Sequence, residues 1–337
     1  MKLLFCADIH IDKYDFSKPK YSEWQGKVYD KAIEAVHKHI EKEKPDYIFW
    51  LGDIIEHDRI HNREMEYVDK LFSHGYSCEQ FLCSGNHEQV SGTPHKEYFW
   101  DSNSKLLEKY GIKYVKTMLH IEEIDALVVS HRSIKSLETY RKKHKFLMSH
   151  IRWGINKFIT SEIDTDNILN KFENIILGDL HGRYKLDQVI YTGVPYDIHF
   201  QNEDVKPSIL MWEDGKFTWL DILTDKYRKK LIVCEDVEEA LSKLPINDTN
   251  WYKIKVTDIS LNLKRLPTLP NVTYDKKLKE LEAKEEIQFV KDAVTDLRTV
   301  SIEKSFIEFC DMQNTRKELS GMLESKVAGM EKIEDAN

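Results

Sequence analysis

An α/β layered fold is what this sequence of 337 residues predicts, on three observations. Short apolar runs alternate with stretches of helical period along roughly the first 220 residues. Several of those runs stop abruptly at Gly, Asp, Asn or His, as buried strands do when they deliver polar groups at their carboxyl ends. The composition, 41% apolar and 11% aromatic with 13 glycines and 8 prolines, fills a full-sized core and excludes a disordered or collagen-like chain. Such a length predicts one large domain and a smaller one.

Residues 2–8 form the first buried strand, ending in Asp-x-His. Ser22-Glu23-Trp24-Gln25 reads as a capping box that opens a helix of about twenty residues to Lys44. Pro45 stops that helix, and residues 46–51 (DYIFWL) are the next strand, again closing on Gly-Asp. A helix over 63–74 follows, then a strand over 80–83 that runs into Ser-Gly-Asn-His. Further strands are expected at 127–130, 146–149, 175–177, 191–192, 209–212 and 217–222. The last two are joined across Glu213-Asp214-Gly215, a hairpin signal.

Beyond Asp225 the character changes. A basic cluster, residues 226–230, precedes Leu231-Ile232-Val233-Cys234. An acidic helix over 236–244 and a strand over 252–256 complete a small β-α-β unit, and Pro267 and Pro270 mark a linker. From Asp275 onward the chain holds 11 basic and 15 acidic residues and is helical in pattern. Ile302, Phe306, Phe309 and Cys310 share one helix face. After the capping box Thr315-Arg316-Lys317-Glu318, Leu319, Met322, Leu323 and Val327 share a second. The expected organisation is therefore a large domain over 1–224, a small β-α-β domain over 225–272, a helical linker over 273–300 and a helix-turn-helix tail over 301–337.

The formal charge is −8, from 50 basic and 58 acidic residues, which argues against a non-specific nucleic-acid coat protein. Five cysteines without a C-x-x-C pair support neither a disulfide framework nor a zinc ribbon. The apolar run MKLLFCA meets Asp8 too early for a signal peptide, and no stretch approaches the length of a membrane span. The expectation is a soluble cytoplasmic protein, or one of a host cytoplasm if phage-encoded.

Four motifs each end a predicted strand: Asp8-Ile9-His10, Gly52-Asp53, Gly85-Asn86-His87-Glu88 and Gly178-Asp179-Leu180-His181. His150 ends a fifth strand. Strand ends on one edge of a sheet converge, so five turns can build one site. Carboxylates, an amide oxygen and imidazoles suit a pair of Mn²⁺-like divalent ions, with a carboxylate bridging them. Singly each motif is commonplace, a capped turn or a polar strand end; in this order the set is specific.

That ordered set resembles the signature of the calcineurin-like metallophosphoesterases. The resemblance implies a four-layer αββα sandwich with a small α+β capping domain and a C-terminal helical tail. It implies that Asp8, His10 and His181 hold a first metal and that Asn86, His150 and Asp179 hold a second, with Asp53 bridging. His87 would stand over the substrate as general acid or transition-state stabiliser. His131, after Val128-Val129-Ser130, competes with His150 for the ligand role; the 29-residue step from His150 to Asp179 leaves room for the helix and strand the family has there. Asp179 departs from the family, whose last motif reads G-H-x-H, and its extra negative charge favours Mn²⁺ or Mg²⁺ over zinc. An inactivated centre is the alternative.

Within the superfamily, residues 1–222 look most like the SbcD-type nuclease subunit and its phage relatives. Ile190-Tyr191-Thr192-Gly193-Val194-Pro195 resembles the Y-x-G-S-P segment of these nucleases, with Val194 in place of serine. The small domain stands where theirs caps DNA, and the tail stands where theirs binds the coiled coil of an SbcC-type ABC ATPase. The resemblance implies 3′-to-5′ exonuclease action on duplex ends and endonuclease action on single strands or hairpins. Between Arg132 and Lys157, eight basic residues oppose one acidic residue, Glu138. Arg132, Arg141, Lys142, Lys143 and Arg152, with Arg183 and Lys185 past His181, are the expected contacts to a DNA backbone. Two other readings stand beside this one: a stand-alone phosphatase or cyclic-nucleotide phosphodiesterase, and a non-catalytic DNA-tethering subunit. A homodimer is a further expected assembly, and no membrane partner is expected.

Overall fold

The computed structural model describes residues 1–256 and 271–274, except 13–14, 58–60, 91–96, 155–159, 201–205, 223–225, 236–238, 240–241 and 245–248. The linker and tail expected over 273–337 lie almost wholly outside the described residues, as does most of the helix expected over 236–244.

In chain order the elements are β1 (Lys2–Cys6), α1 (Pro19–Glu43), β2 (Tyr47–Leu51), α2 (Asn62–Phe72), β3 (Glu79–Cys83), α3 (Phe99–Lys109), β4 (Ile112–Val115) and β5 (Met118–Ile121). They continue with β6 (Ala126–Val129), α4 (Ser136–Thr139), β7 (His144–His150), α5 (Asp166–Leu169), β8 (Phe172–Gly178), β9 (Lys185–Leu186) and β10 (Val189–Tyr191). The hairpin β11 (Ser208–Glu213) and β12 (Lys216–Asp221) follows, then β13 (Lys229–Cys234), β14 (Trp251–Val256) and β15 (Val272–Tyr274).

Two mixed six-stranded sheets dominate, in the orders β12-β11-β1-β2-β3-β4 and β5-β6-β7-β8-β10-β9. Alternation along each strand builds the layers. On β1, Leu3 and Phe5 face the second sheet, where Phe146, Met148, Ile176 and Ile190 meet them. Leu4 and Cys6 face the other way, onto Trp24, Val28, Val36 and Trp100 of α1 and α3. On the far side of the second sheet, Leu127, Leu147 and Ile175 pack on Leu137 of α4 and Ile168 of α5. The result is the expected αββα sandwich. Phe5, Phe49 and Phe81 sit in register on β1, β2 and β3. Their rings stack at 5.5 Å each, worth about 0.5–1.5 kcal/mol per pair beyond burial.

Helix α1 starts earlier than the capping-box reading predicts, at Pro19, whose fixed φ suits the first helical position. Ser22 lies inside the helix, and its hydroxyl accepts the Asp15 N–H at 2.9 Å instead of capping. The third strand of the small sheet, β15, and strands β4, β5 and β9 had no clear sequence signal. They are short, and most of their residues are polar or exposed.

The chain divides into two compact units. One comprises Met1–Leu231 with Pro245–Tyr252 and holds both large sheets. The other comprises Ile232–Leu244 and Lys253–Asn337. The strands β13, β14 and β15 form a three-stranded sheet. No helix among the described residues is long and apolar enough to cross a membrane.

Gly178, which ends β8, has no room for a side chain. A Cβ there would lie 2.6 Å from the Leu51 carbonyl oxygen and 2.7 Å from His150 Nδ1. Gly178→Ala is therefore expected to lower stability by about 1–3 kcal/mol, read as an earlier urea-unfolding midpoint.

Candidate metal centre

β1, β2 and β3 run parallel, and so do β7 and β8, so their carboxyl ends open onto common ground. Asp8 and His10 follow β1, Asp53 follows β2, and Asn86 and His87 follow β3. His150 is the last residue of β7, and Asp179 and His181 follow β8. Four of these residues occupy left-handed backbone: Asp8 (φ 56°), His10 (47°), Asp53 (50°) and Asp179 (85°). Such conformations cost about 1–3 kcal/mol each and persist only where the surroundings impose them. Here hydrogen bonds between the turns do so. Asp8 N donates to Gly52 O at 3.0 Å, His10 N donates to Asp53 O at 2.8 Å, and Asp179 N donates to Asp8 Oδ1 at 3.1 Å.

The donor atoms fall into two groups that share Asp53. In the first, His10 Nε2 lies 3.6 Å and His181 Nε2 3.8 Å from Asp8 Oδ1. In the second, His150 Nε2 lies 3.0 Å from Asn86 Oδ1, 3.1 Å from Asp53 Oδ2 and 3.9 Å from Asp179 Oδ1. Asp53 Oδ2 is also 3.7 Å from His10 Nε2, which places this carboxylate between the groups. Asp8, Asp53 and His150 are buried almost completely.

These side chains fit a cation pair. His10 Nε2 is buried and has no hydrogen-bond partner among the described residues. His150 Nδ1–H donates to the Leu51 carbonyl at 2.8 Å, which turns the Nε2 lone pair toward three oxygens. Lone pairs that face one another call for a positive charge. Burial pulls the His10 pKa down, but the nearby carboxylates of Asp8, Glu56 and Asp53 overcome it and raise the value to about 10. Burial likewise pulls the His150 pKa down, but Asp53, Asp8 and Asp179 outweigh it and raise the value strongly. Protons and divalent cations compete for the same atoms here, so cation binding should weaken as pH falls. His181 differs: burial lowers its pKa to about 4, which keeps the ring neutral.

His87 is the half-exposed member. Its backbone N–H donates to Asp53 Oδ1 at 3.0 Å, and its ring stands edge-on to His10 at 4.9 Å. A hydrogen bond to Glu56 and the charges of Asp53 and Glu56 raise its pKa, against burial. Glu56 is the residue that sequence reasoning missed. One carboxylate oxygen holds His10 Nδ1, and the other lies 3.3 Å from His87 Nδ1. Its position three residues after Asp53 was the available signal. Glu56→Gln is expected to weaken cation binding roughly 10–100-fold by loosening both rings, measured by calorimetric titration. Glu88, wholly buried, accepts from Ile54 N at 2.9 Å, Trp100 Nε1 at 2.8 Å and Gly85 N at 2.8 Å. It ties the turn after β3 to the turn after β2; burial and Asp53 push its pKa to about 7.

The expected basic contacts are placed unevenly. Arg152 forms a two-pronged bond with Asp179, Nε to Oδ2 at 3.0 Å and Nη2 to Oδ1 at 3.2 Å, and so offsets the charge that Asp179 adds. Arg132 is paired with Asp101 and lies 4.6 Å over the Tyr98 ring. Arg183 is held by Lys206 O, Pro207 O, Ser208 Oγ and Asp221. Lys185 is exposed, as are Arg141, Lys142 and Lys143. Those three precede β7 while His150 ends it, so the strand holds them about 20 Å or more from the centre. In the 226–230 cluster, Arg228 is paired with Asp197, and Lys229 is buried with its Nζ 2.8 Å from Ile198 O. His131 stands beside His150, with ring centroids 6.4 Å apart. It bonds the Tyr98 hydroxyl at 2.9 Å and faces Glu162.

Comparison with known proteins gives one family match. The family model described as calcineurin-like phosphoesterase matches residues 1–226. No curated protein matches the chain significantly. Among solved structures, TT1561 of Thermus thermophilus is similar at 11% identity and a TM-score of 0.41, covering 66% of this chain and 99% of its own. The nuclease MPE of Pseudomonas putida is similar at 12% identity and a TM-score of 0.32, covering 65% and 87%. Yfce, a phosphoesterase from E. coli, is similar at 11% identity and a TM-score of 0.33, covering 66% and 100%.

Proposed function

Since the chain belongs to the calcineurin-like phosphoesterase family, we propose that it is a Mn²⁺-dependent DNA nuclease subunit that works with an SbcC-type ABC ATPase in DNA repair, recombination or replication. The observation that carries a hydrolytic reading is the convergence of seven ligand-type side chains, Asp53 facing both His10 and His150, with His87 half-exposed beside them. Two divalent cations, when bound, would supply an activated water and neutralise phosphoryl charge. Asp8, His10 and His181 would hold one and Asn86, His150 and Asp179 the other, with Asp53 common to both. Glu56 orients His10 and His87 by their Nδ1 atoms, and a protonated His87 has its Nε2–H free to give to the leaving oxygen of a phosphodiester. Mn²⁺ suits the donor set, in which oxygens outnumber a borderline ion's usual share.

DNA as the substrate rests on the segment from Tyr191 to Pro195 and on the extra chain beyond the family match. Tyr191 is buried, and its hydroxyl accepts the Trp153 N–H at 2.7 Å and so anchors the stretch that follows His150. A second reading, a phosphodiesterase for small substrates, draws on the pairing of Arg132, Arg152 and Arg183 with protein carboxylates, which leaves less free charge for a DNA backbone. Manganese-dependent digestion of an end-labelled duplex, run beside hydrolysis of an aryl phosphodiester, separates the two. Turnover of the small ester matching that of DNA would overturn the nuclease reading. The partnership predicts that removal of residues 301–337 abolishes ATPase association in a pull-down and spares basal cleavage.

A further inference from the structure

β7 carries a second cluster at its other end. His144 opens the strand, is buried, and brings Nδ1 to 2.7 Å from Asp125 Oδ1. His120, on the edge strand β5, brings Nε2 to 3.3 Å from the same oxygen, and the three donor atoms lie within 4.8 Å of one another. Six residue steps along an extended strand separate His144 from His150, about 20 Å, so this cluster shares no atom with the candidate metal centre.

Two of the three donors, His144 and Asp125, are already oriented from behind. The Tyr140 hydroxyl lies 2.6 Å from His144 Nε2, where a metal-ligating imidazole places the N–H of its remote nitrogen. Lys145 N donates to Asp125 Oδ2 at 3.0 Å, which leaves Oδ1 for the shared point. The two imidazole rings are 4.4 Å apart. An ion with tetrahedral bonds of about 2.0–2.1 Å spaces its donors roughly 3.3 Å apart. The His120–Asp125 pair has that spacing, and the His144–Asp125 pair needs to open by about half an ångström. Two imidazoles and one carboxylate make a zinc-type set, poorer in oxygen than the centre at Asp53.

We propose that His120, Asp125 and His144 form a second, separate zinc-type site. It pins the edge strand β5 to β7 across the intervening β6, with water in the fourth position. The test is equilibrium dialysis of the full chain against Zn²⁺ with elemental analysis, beside His120→Ala, His144→Asn and Asp53→Asn. The His120 ring is exposed, so His120→Ala does not threaten folding. The parent should retain one zinc per chain more than His120→Ala or His144→Asn, while dialysis against Mn²⁺ gives equal counts for all three. Asp53→Asn should keep that additional zinc. Equal zinc counts in the parent and His120→Ala would overturn the site, and its loss in Asp53→Asn would show that it is not separate.

Discussion

Asp53→Asn is expected to abolish phosphodiester hydrolysis and to strip the centre of its cations. The substitution is nearly isosteric, so the fold should survive it. What changes is charge at a carboxylate that faces both donor groups, 3.1 Å from His150 Nε2 and 3.7 Å from His10 Nε2. An amide in that place supplies one neutral oxygen and turns an N–H₂ toward two imidazoles. Loss of several kcal/mol of charge stabilisation corresponds to a fall in rate of about a thousandfold or more. Elemental analysis after dialysis checks the cause. Cation content equal to that of the parent would contradict the shared position of Asp53.

His87→Ala should separate binding from chemistry. The ring touches Glu56, stands edge-on to His10 and lies near the donors of His10 and Asp53, but its proposed part is the acid's and not a ligand's. Cation content should therefore hold while cleavage falls by about 10²–10⁴, the usual worth of a positioned acid. The loss should be smaller for a substrate whose leaving group departs without a proton, such as a nitrophenyl ester. A variant that cuts both substrates as fast as the parent would remove His87 from the reaction.

Most of the sandwich was legible because its strands are buried on both faces and read as unbroken apolar runs, as in DYIFWL. Strands β4, β5 and β9 were not, since edge strands mix exposed and buried residues over only two to four positions. The strand-end motifs gave the candidate ligands because their residue types are rare at the ends of apolar runs. Glu56 escaped because a carboxylate in a surface turn is ordinary in sequence, and only the fold brings it to two imidazole nitrogens. The basic run is spread out by the fold for the opposite reason. Arg132, Arg141 and Arg152 are near in sequence, yet a seven-residue strand intervenes, and two of the three guanidinium groups are committed to Asp101 and Asp179.

The four left-handed residues at the strand ends make folding and cation supply one equilibrium. A backbone bent against its preference at Asp8, His10, Asp53 and Asp179 also gathers like charge, and both costs fall on the native state alone. A cation that binds the gathered donors repays them by mass action, about 2.7 kcal/mol at a hundred times its dissociation constant. The midpoint of heat denaturation should then climb with the logarithm of free Mn²⁺ and fall back under a chelator. In a cell short of the ion, the quantity that drops first would be the amount of folded protein.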